Sequence, residues 1–132
     1  MKSRRNFLKG LVTASVGLPV LGKAAELCQE LTPVQPEGPF YPEPNRVQRD
    51  DTDLTRIYPN GKLADGQIIY IAGQVVDRET CQPIEGAIVE IWQACKSGRY
   101  NHSQDPNNAP LDPNFQYFGR AFTDAEGKYV FK

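Results

Sequence analysis

The sequence is short of positive charge once its first residues are passed. Residues 1–24 hold Lys2, Arg4, Arg5, Lys9 and Lys23 and no acid, which leaves 10 of the 15 basic residues to face all 16 acidic ones. The remaining chain is therefore acidic and carries no Lys/Arg stripe, so nucleic-acid binding is excluded as a function class. Only three cysteines occur, Cys28, Cys81 and Cys95, and none stands in Cys-x-x-Cys spacing. That spacing gives no support to a zinc site or a dithiol redox motif. An oxidising compartment would allow one disulfide with one thiol left over, and a Cys81–Cys95 pairing stays open. No apolar run reaches the ~20 residues of a membrane span. No helical period is sustained beyond the first segment, and no internal repeat is visible. The 11 prolines and 11 glycines favour turns and short strands instead.

What the chain does have begins at its N-terminus. Ser3-Arg4-Arg5-Asn6-Phe7-Leu8-Lys9 resembles the bacterial twin-arginine export signal. A mildly apolar stretch over 10–22 follows and ends in small residues, with Ala24 and Ala25 placed for cleavage. Residues 1–24 thus read as an export signal, and the product is expected in the periplasm. Cys28 follows no lipobox-like run, so no stable membrane anchor is expected.

Residues 25–66 read as a tether, a Pro-rich arm and a wrapping loop. Pro33, Pro36, Pro39, Pro42 and Pro44 forbid helix and favour an extended chain. Residues 45–66 are polar and turn-rich, and are expected to wrap a core formed later. That core occupies 67–132. A β-branched run over 68–76 reads as a strand. Residues 84–93 place Ala87, Val89 and Ile91 on one face and Ile88, Glu90 and Trp92 on the other. Residues 96–118 read as loop. Residues 121–131 read as a hairpin turning at Asp124-Ala125-Glu126-Gly127. The expected fold is all-β, an antiparallel β-sandwich with long loops and an extended N-terminal arm.

Four segments together resemble the intradiol ring-cleaving dioxygenases, the protocatechuate 3,4-dioxygenase type in particular. They are Leu31-Thr32-Pro33 through Gln35 to Glu37-Gly38-Pro39-Phe40-Tyr41-Pro42; Gly73-Gln74-Val75-Val76-Asp77 with Pro83-Ile84-Glu85-Gly86-Ala87 and Val89-Glu90-Ile91-Trp92-Gln93; Gly98-Arg99-Tyr100; and Leu111-Asp112-Pro113-Asn114-Phe115 with Gly119-Arg120, Thr123-Asp124 and Gly127-Lys128-Tyr129. The second and fourth segments also resemble turn-making patterns of non-catalytic modules of the carboxypeptidase-regulatory or transthyretin type, which form the alternative reading. The proline-rich arm and the phrase Trp92-Gln93-Ala94-Cys95-Lys96-Ser97-Gly98-Arg99-Tyr100 are more specific.

The resemblance implies an oxidoreductase that opens small catechol-type aromatic diols with O2 at a non-haem Fe(III) centre. Fe(III) is a hard Lewis acid that favours anionic oxygen donors, and a metal-bound phenol readily loses its proton. By the resemblance Tyr100 is both iron ligand and catalytic residue. Gly38, Pro39 and Phe40 match an arm that shapes the substrate pocket. The resemblance places the two histidine ligands in a later segment, so His102, the one histidine, is expected to be a solvated loop residue. The second tyrosine and both histidines are not found before Lys132. The expectation is therefore a truncated, inactive product of an enzyme whose full-length form could be a homo-oligomer.

Overall fold

The computed structural model describes residues 31–132; the export segment read over 1–24 and the start of the tether lie outside the described residues. The β-branched stretches form strands where they find partners. Strand β1 (Ile71–Gln74) pairs antiparallel with β4 (Lys128–Phe131), from Ile71–Phe131 to Gln74–Lys128. Strand β2 (Ile88–Trp92) pairs antiparallel with β3 (Phe118–Phe122), from Ile88–Phe122 to Trp92–Phe118. The architecture is all-β, two antiparallel ribbons enclosing a core of Leu54, Ala121 and Phe131, with Val89, Ile91, Phe115 and Tyr129 packed against it. The two-residue period read over 84–93 holds. Val89 and Ile91 turn inward, whereas Ile88 is left 61% exposed.

Three expectations need correction. The strand read over 68–76 forms only over Ile71–Gln74, with Val76 adding an isolated bridge to Pro83. The hairpin read over 121–131 forms only its turn. Gly127 N–H bonds Asp124 O at 2.8 Å, yet β3 and β4 leave that turn for different sheets. Thr123 explains the parting. Its hydroxyl donates to Ile84 O (2.6 Å) and accepts from Ala87 N (2.8 Å), holding β3 to the approach of β2. Gly127 O accepts from Val75 N (2.8 Å) and commits β4 to β1. The loop over 45–66 does wrap the core, but it also supplies part of it: Leu54 is 3% exposed. Leu54 N donates to Lys132 O and Lys132 N to Thr52 O, both at 2.9 Å, so the loop flanks the end of β4. Leu54 fits because residue 119 is glycine. A Cβ there would stand 2.5 Å from Leu54 Cδ1 and 2.9 Å from Asp51 O.

Cys81 is disulfide-bonded and Cys95 is a free thiol, so the two are not joined to each other.

Candidate active site

The arm docks on the outward face of β2 and β3. Tyr41 meets Trp92 edge-on with ring centroids 5.0 Å apart, and its hydroxyl donates to Glu90 Oε2 at 2.8 Å. This hydrogen bond to a carboxylate holds the Tyr41 proton and raises its pKa. Glu90 faces Arg120 across the ribbon, and Arg120 Nε donates to Glu90 Oε1 at 3.0 Å. The same guanidinium reaches Asp50 Oδ2 at 2.8 Å, so one cation ties β2, β3 and the wrapping loop together. Next along the arm, the Phe40 ring lies 5.0 Å from that of Tyr100 and 5.5 Å from that of His102. Glu43 accepts from Ser103 N (2.9 Å) and Oγ (2.8 Å), which hold its carboxyl below the usual range, and it also pairs with Arg46 at 2.7 Å.

Tyr100 is positioned by a chain of Asx turns. Asp105 Oδ2 accepts from Tyr100 N at 2.6 Å and its Oδ1 from Asn107 N at 2.9 Å. Backbone donation from Asn107, then Tyr100, keeps the Asp105 carboxyl below the ordinary carboxylate range. Asn107 Oδ1 in turn accepts from Ala109 N at 2.9 Å. At the start of the loop Gly98 has φ +80°, and its N–H closes a turn on Cys95 O at 2.8 Å. Tyr100 is half-buried, and its hydroxyl bonds no other residue among the described residues.

Behind the Tyr100 loop lies a buried polar layer. Phe118 N bonds Gln116 O at 2.8 Å around Tyr117, whose φ is +63°. A bulky residue with that φ is strained, and its contacts must hold it there. The Tyr117 hydroxyl accepts from Asp112 N at 2.7 Å, and burial pushes its pKa up strongly. Cys95 Sγ lies 3.2 Å from Ser97 Oγ. Burial pushes the Cys95 thiol up, but hydrogen bonds from Ser97, Tyr117 and the Asp112 backbone outweigh it and bring the pKa down to about 7. Gln116 is 3% exposed, and its Nε2 donates to Phe118 O (2.8 Å) and Asp51 O (3.2 Å). Its Oε1 has no hydrogen-bond partner. A buried acceptor left so costs ~1–3 kcal/mol.

A family model described as Dioxygenase matches residues 36–132, taking in the arm from Pro36 onward, the Tyr100 loop and all four strands. The chain belongs to the intradiol ring-cleaving dioxygenase family. It is 46% identical over 81 residues to the protocatechuate 3,4-dioxygenase beta chain of Burkholderia cepacia, covering 61% of this chain and 34% of that one. It is 40% identical over 72 residues to an intradiol ring-cleavage dioxygenase of Aspergillus niger, covering 54% and 21%. Against catechol 1,2-dioxygenase of Candida albicans it is 32% identical over 101 residues, covering 72% and 28%. The chain thus spans about a third or less of the length of these relatives. A crystal structure of a dioxygenase superposes with a TM-score of 0.51 at 27% identity, over 72% of this chain and 45% of that one. The intradiol ring-cleavage dioxygenase from Tetranychus urticae gives 0.50 at 26% identity over the same shares.

The residues that the sequence singled out are brought together only in part. Phe40 reaches Tyr100, whereas Gly38, with φ +83°, and Pro39 stay exposed on the arm. His102 contacts Phe40, and its Nδ1 accepts from Gln104 N at 3.1 Å. Among the described residues no group of three or more His, Cys, Asp or Glu could hold a metal. The family implies a ferric ion, and of the ligands expected for it only Tyr100 lies among the described residues. Gln116, Tyr117 and Asp105 were not legible as site residues. Asp105-Pro106-Asn107 did carry a turn signal, but nothing local in Phe115-Gln116-Tyr117 marks a buried amide.

Proposed function

We propose that this chain carries part of the catalytic unit of an intradiol dioxygenase acting on a small catechol-type diol. The reaction adds both atoms of O2 across the bond between the two hydroxyl-bearing ring carbons and gives a muconate-type diacid. The observation that carries this reading is the contact of Phe40 with Tyr100, which brings the arm and the iron-ligand candidate of the family motif together. In this reading Tyr100 offers one anionic oxygen to a non-haem Fe(III), and Gly38, Pro39 and Phe40 form a wall against the diol. The remaining donors come from outside the described residues. The Ser3–Lys9 motif supports periplasmic export, and a homo-oligomer of the full-length form belongs to the same proposal. The second reading is a non-catalytic exported β-sandwich module, which rests on the turn-making patterns of the second and fourth segments.

A chimera joining residues 31–132 to the remainder of the Burkholderia cepacia beta chain separates the two. We expect it to bind iron, to be coloured by tyrosinate-to-iron charge transfer, and to take up O2 with protocatechuate or catechol. The 132-residue chain alone should bind no stoichiometric iron. Tyr100→Phe keeps the ring and removes the anionic oxygen. It should leave the fold within ~1 kcal/mol while the colour shifts and turnover collapses. An iron-bound, active chimera that keeps spectrum and turnover after Tyr100→Phe would refute the role given to Tyr100. For export, Arg4→Lys with Arg5→Lys should strand the product in the cytoplasm, read by fractionation.

A further inference from the structure

Cys81 has a partner that no described residue can supply. It is disulfide-bonded, whereas Cys95 is a free thiol. The chain holds three cysteines, so within one chain the count leaves Cys28. Cys28 lies outside the described residues, and what the structure shows is the Cys81 end of the bond. That end is built in advance. Asp77 N donates to Gln82 O and Cys81 N to Asp77 O, both at 2.8 Å, which closes a turn over 77–82. The Asp77 carboxylate accepts from Glu79 N (3.0 Å), Thr80 N (2.8 Å) and Thr80 Oγ (2.8 Å) within it. Below the turn Val76 bridges Pro83, and Ile84 N donates to Val75 O at 3.0 Å, so the stem runs on toward β1. Cys81 holds φ +58°, a left-handed conformation that glycine or asparagine adopts at lower cost. What cysteine adds at this position is the thiol. It sits half-buried on the turn, beside the exposed Glu79 and Thr80.

We infer that Cys81 is bonded to Cys28, and that this disulfide clamps the entry of the Pro-rich arm to the 77–82 turn once the chain is in an oxidising compartment. Cys28 stands just before Leu31, where the described arm begins. The arm's other attachment is the aromatic seat of Phe40 and Tyr41. An extended chain covers at most ~3.6 Å per residue, so the stretch from Cys28 to Phe40 reaches ~40 Å, enough to cross a domain whose radius of gyration is ~13 Å. Fixed at both ends, the arm is held to the outward face of β2 and β3. The loop closed from 28 to 81 also contains Leu54, the loop residue that enters the core. The cross-link thus restricts the unfolded chain over a segment that has no strand before Ile71. Closure is a thiol–disulfide exchange. One cysteine thiolate attacks a disulfide oxidant such as oxidised glutathione, and the second displaces it from the mixed disulfide. The two cysteines give up two protons and two electrons, and the oxidant leaves as two thiols. Cys28 lies beyond Ala24 and Ala25, so the proposed signal cleavage retains it. In that reading the reducing cytoplasm keeps the clamp open until export.

Thiol mapping of the full chain tests the pairing without iron, turnover or export. The chain purified under reductant should show three free thiols, and one after equilibration with reduced and oxidised glutathione. N-ethylmaleimide in denaturant should then label Cys95 alone. Trypsin with a glutamyl protease cuts between all three cysteines, at Arg46, Arg78 and Glu85 among other places. Mass spectrometry should find the Cys28 peptide linked to the Cys81 peptide. A labelled Cys28, a Cys81–Cys95 link or a bond between two chains overturns the pairing. For the clamp, the glutamyl protease acting on the folded chain should cut after the exposed Glu37 severalfold faster in Cys28→Ser than in the oxidised, unaltered chain. Equal rates overturn the clamp. Reducing the unaltered chain should give the same acceleration, so the clamp stays testable if Cys28→Ser does not fold.

Discussion

Cys95 shows how far a residue's behaviour departs from what its name in a sequence suggests. The residue is 7% exposed, and burial alone would raise its pKa above the ordinary 9.0. Hydrogen-bond donors from Ser97, Tyr117 and the Asp112 backbone bring it to about 7 instead. Between about 7 and 9 the folded chain holds a thiolate while the unfolded chain still binds the proton. Stability should therefore rise as pH climbs through that window, and the gain is lost as pH falls through about 7. Denaturant midpoints taken across the window, with thiolate absorbance in parallel, check this. Ser97→Ala removes one donor and should flatten the slope. A thiol that titrates near 9 in the folded chain would contradict the hydrogen-bonding account.

At the scale of elements, the arm is the least conventional part. It has no ladder bonds and is held by aromatic edges and a few charge-assisted contacts. Trp92 is the sole tryptophan, so the emission reports its surroundings, of which the Tyr41 ring is part. Tyr41→Phe keeps the edge contact and loses only the bond to Glu90. Because the site is partly exposed, a cost of ~0.5 kcal/mol is expected, at the low end for a hydrogen bond. Tyr41→Ala should shift the Trp92 emission to the red, and an unchanged spectrum would mean that the arm does not rest there. Much of this level was legible in the sequence. Five prolines declared the arm extended, and the alternation over 84–93 named the faces of β2 before any partner was known. The partners themselves were not legible. Tertiary hydrogen bonds from Thr123 to the 84–87 segment decide which sheet β3 joins, and no pattern within 121–131 encodes them. Leu54 escaped notice for a related reason. An isolated leucine in a polar loop becomes core only because distant Gly119 leaves it space.

For the whole molecule, the outward end of the β2–β3 ribbon stands open. Ile88 and Phe122 face each other across the register and are 61% and 66% exposed, beyond the reach of the arm contacts at Glu90 and Trp92. Ile71 and Val130 add exposed apolar surface on the other ribbon. Such surface drives association in water. We expect the 132-residue chain to self-associate at micromolar concentration and Phe122→Lys to shift sedimentation toward monomer. A monodisperse monomer before substitution would contradict this.

The parting of β3 and β4 at the 124–127 turn reaches beyond geometry. Neither ribbon is closed by a tight turn: Ile71 finds Phe131, and β2 and β3, although consecutive, are separated by the long loop over 93–117. No ladder can zip outward from a tight turn, and each must wait for a long loop to close, which slows folding. On the ribosome, β1 emerges unmatched and stays so until the residues of β4 have followed it.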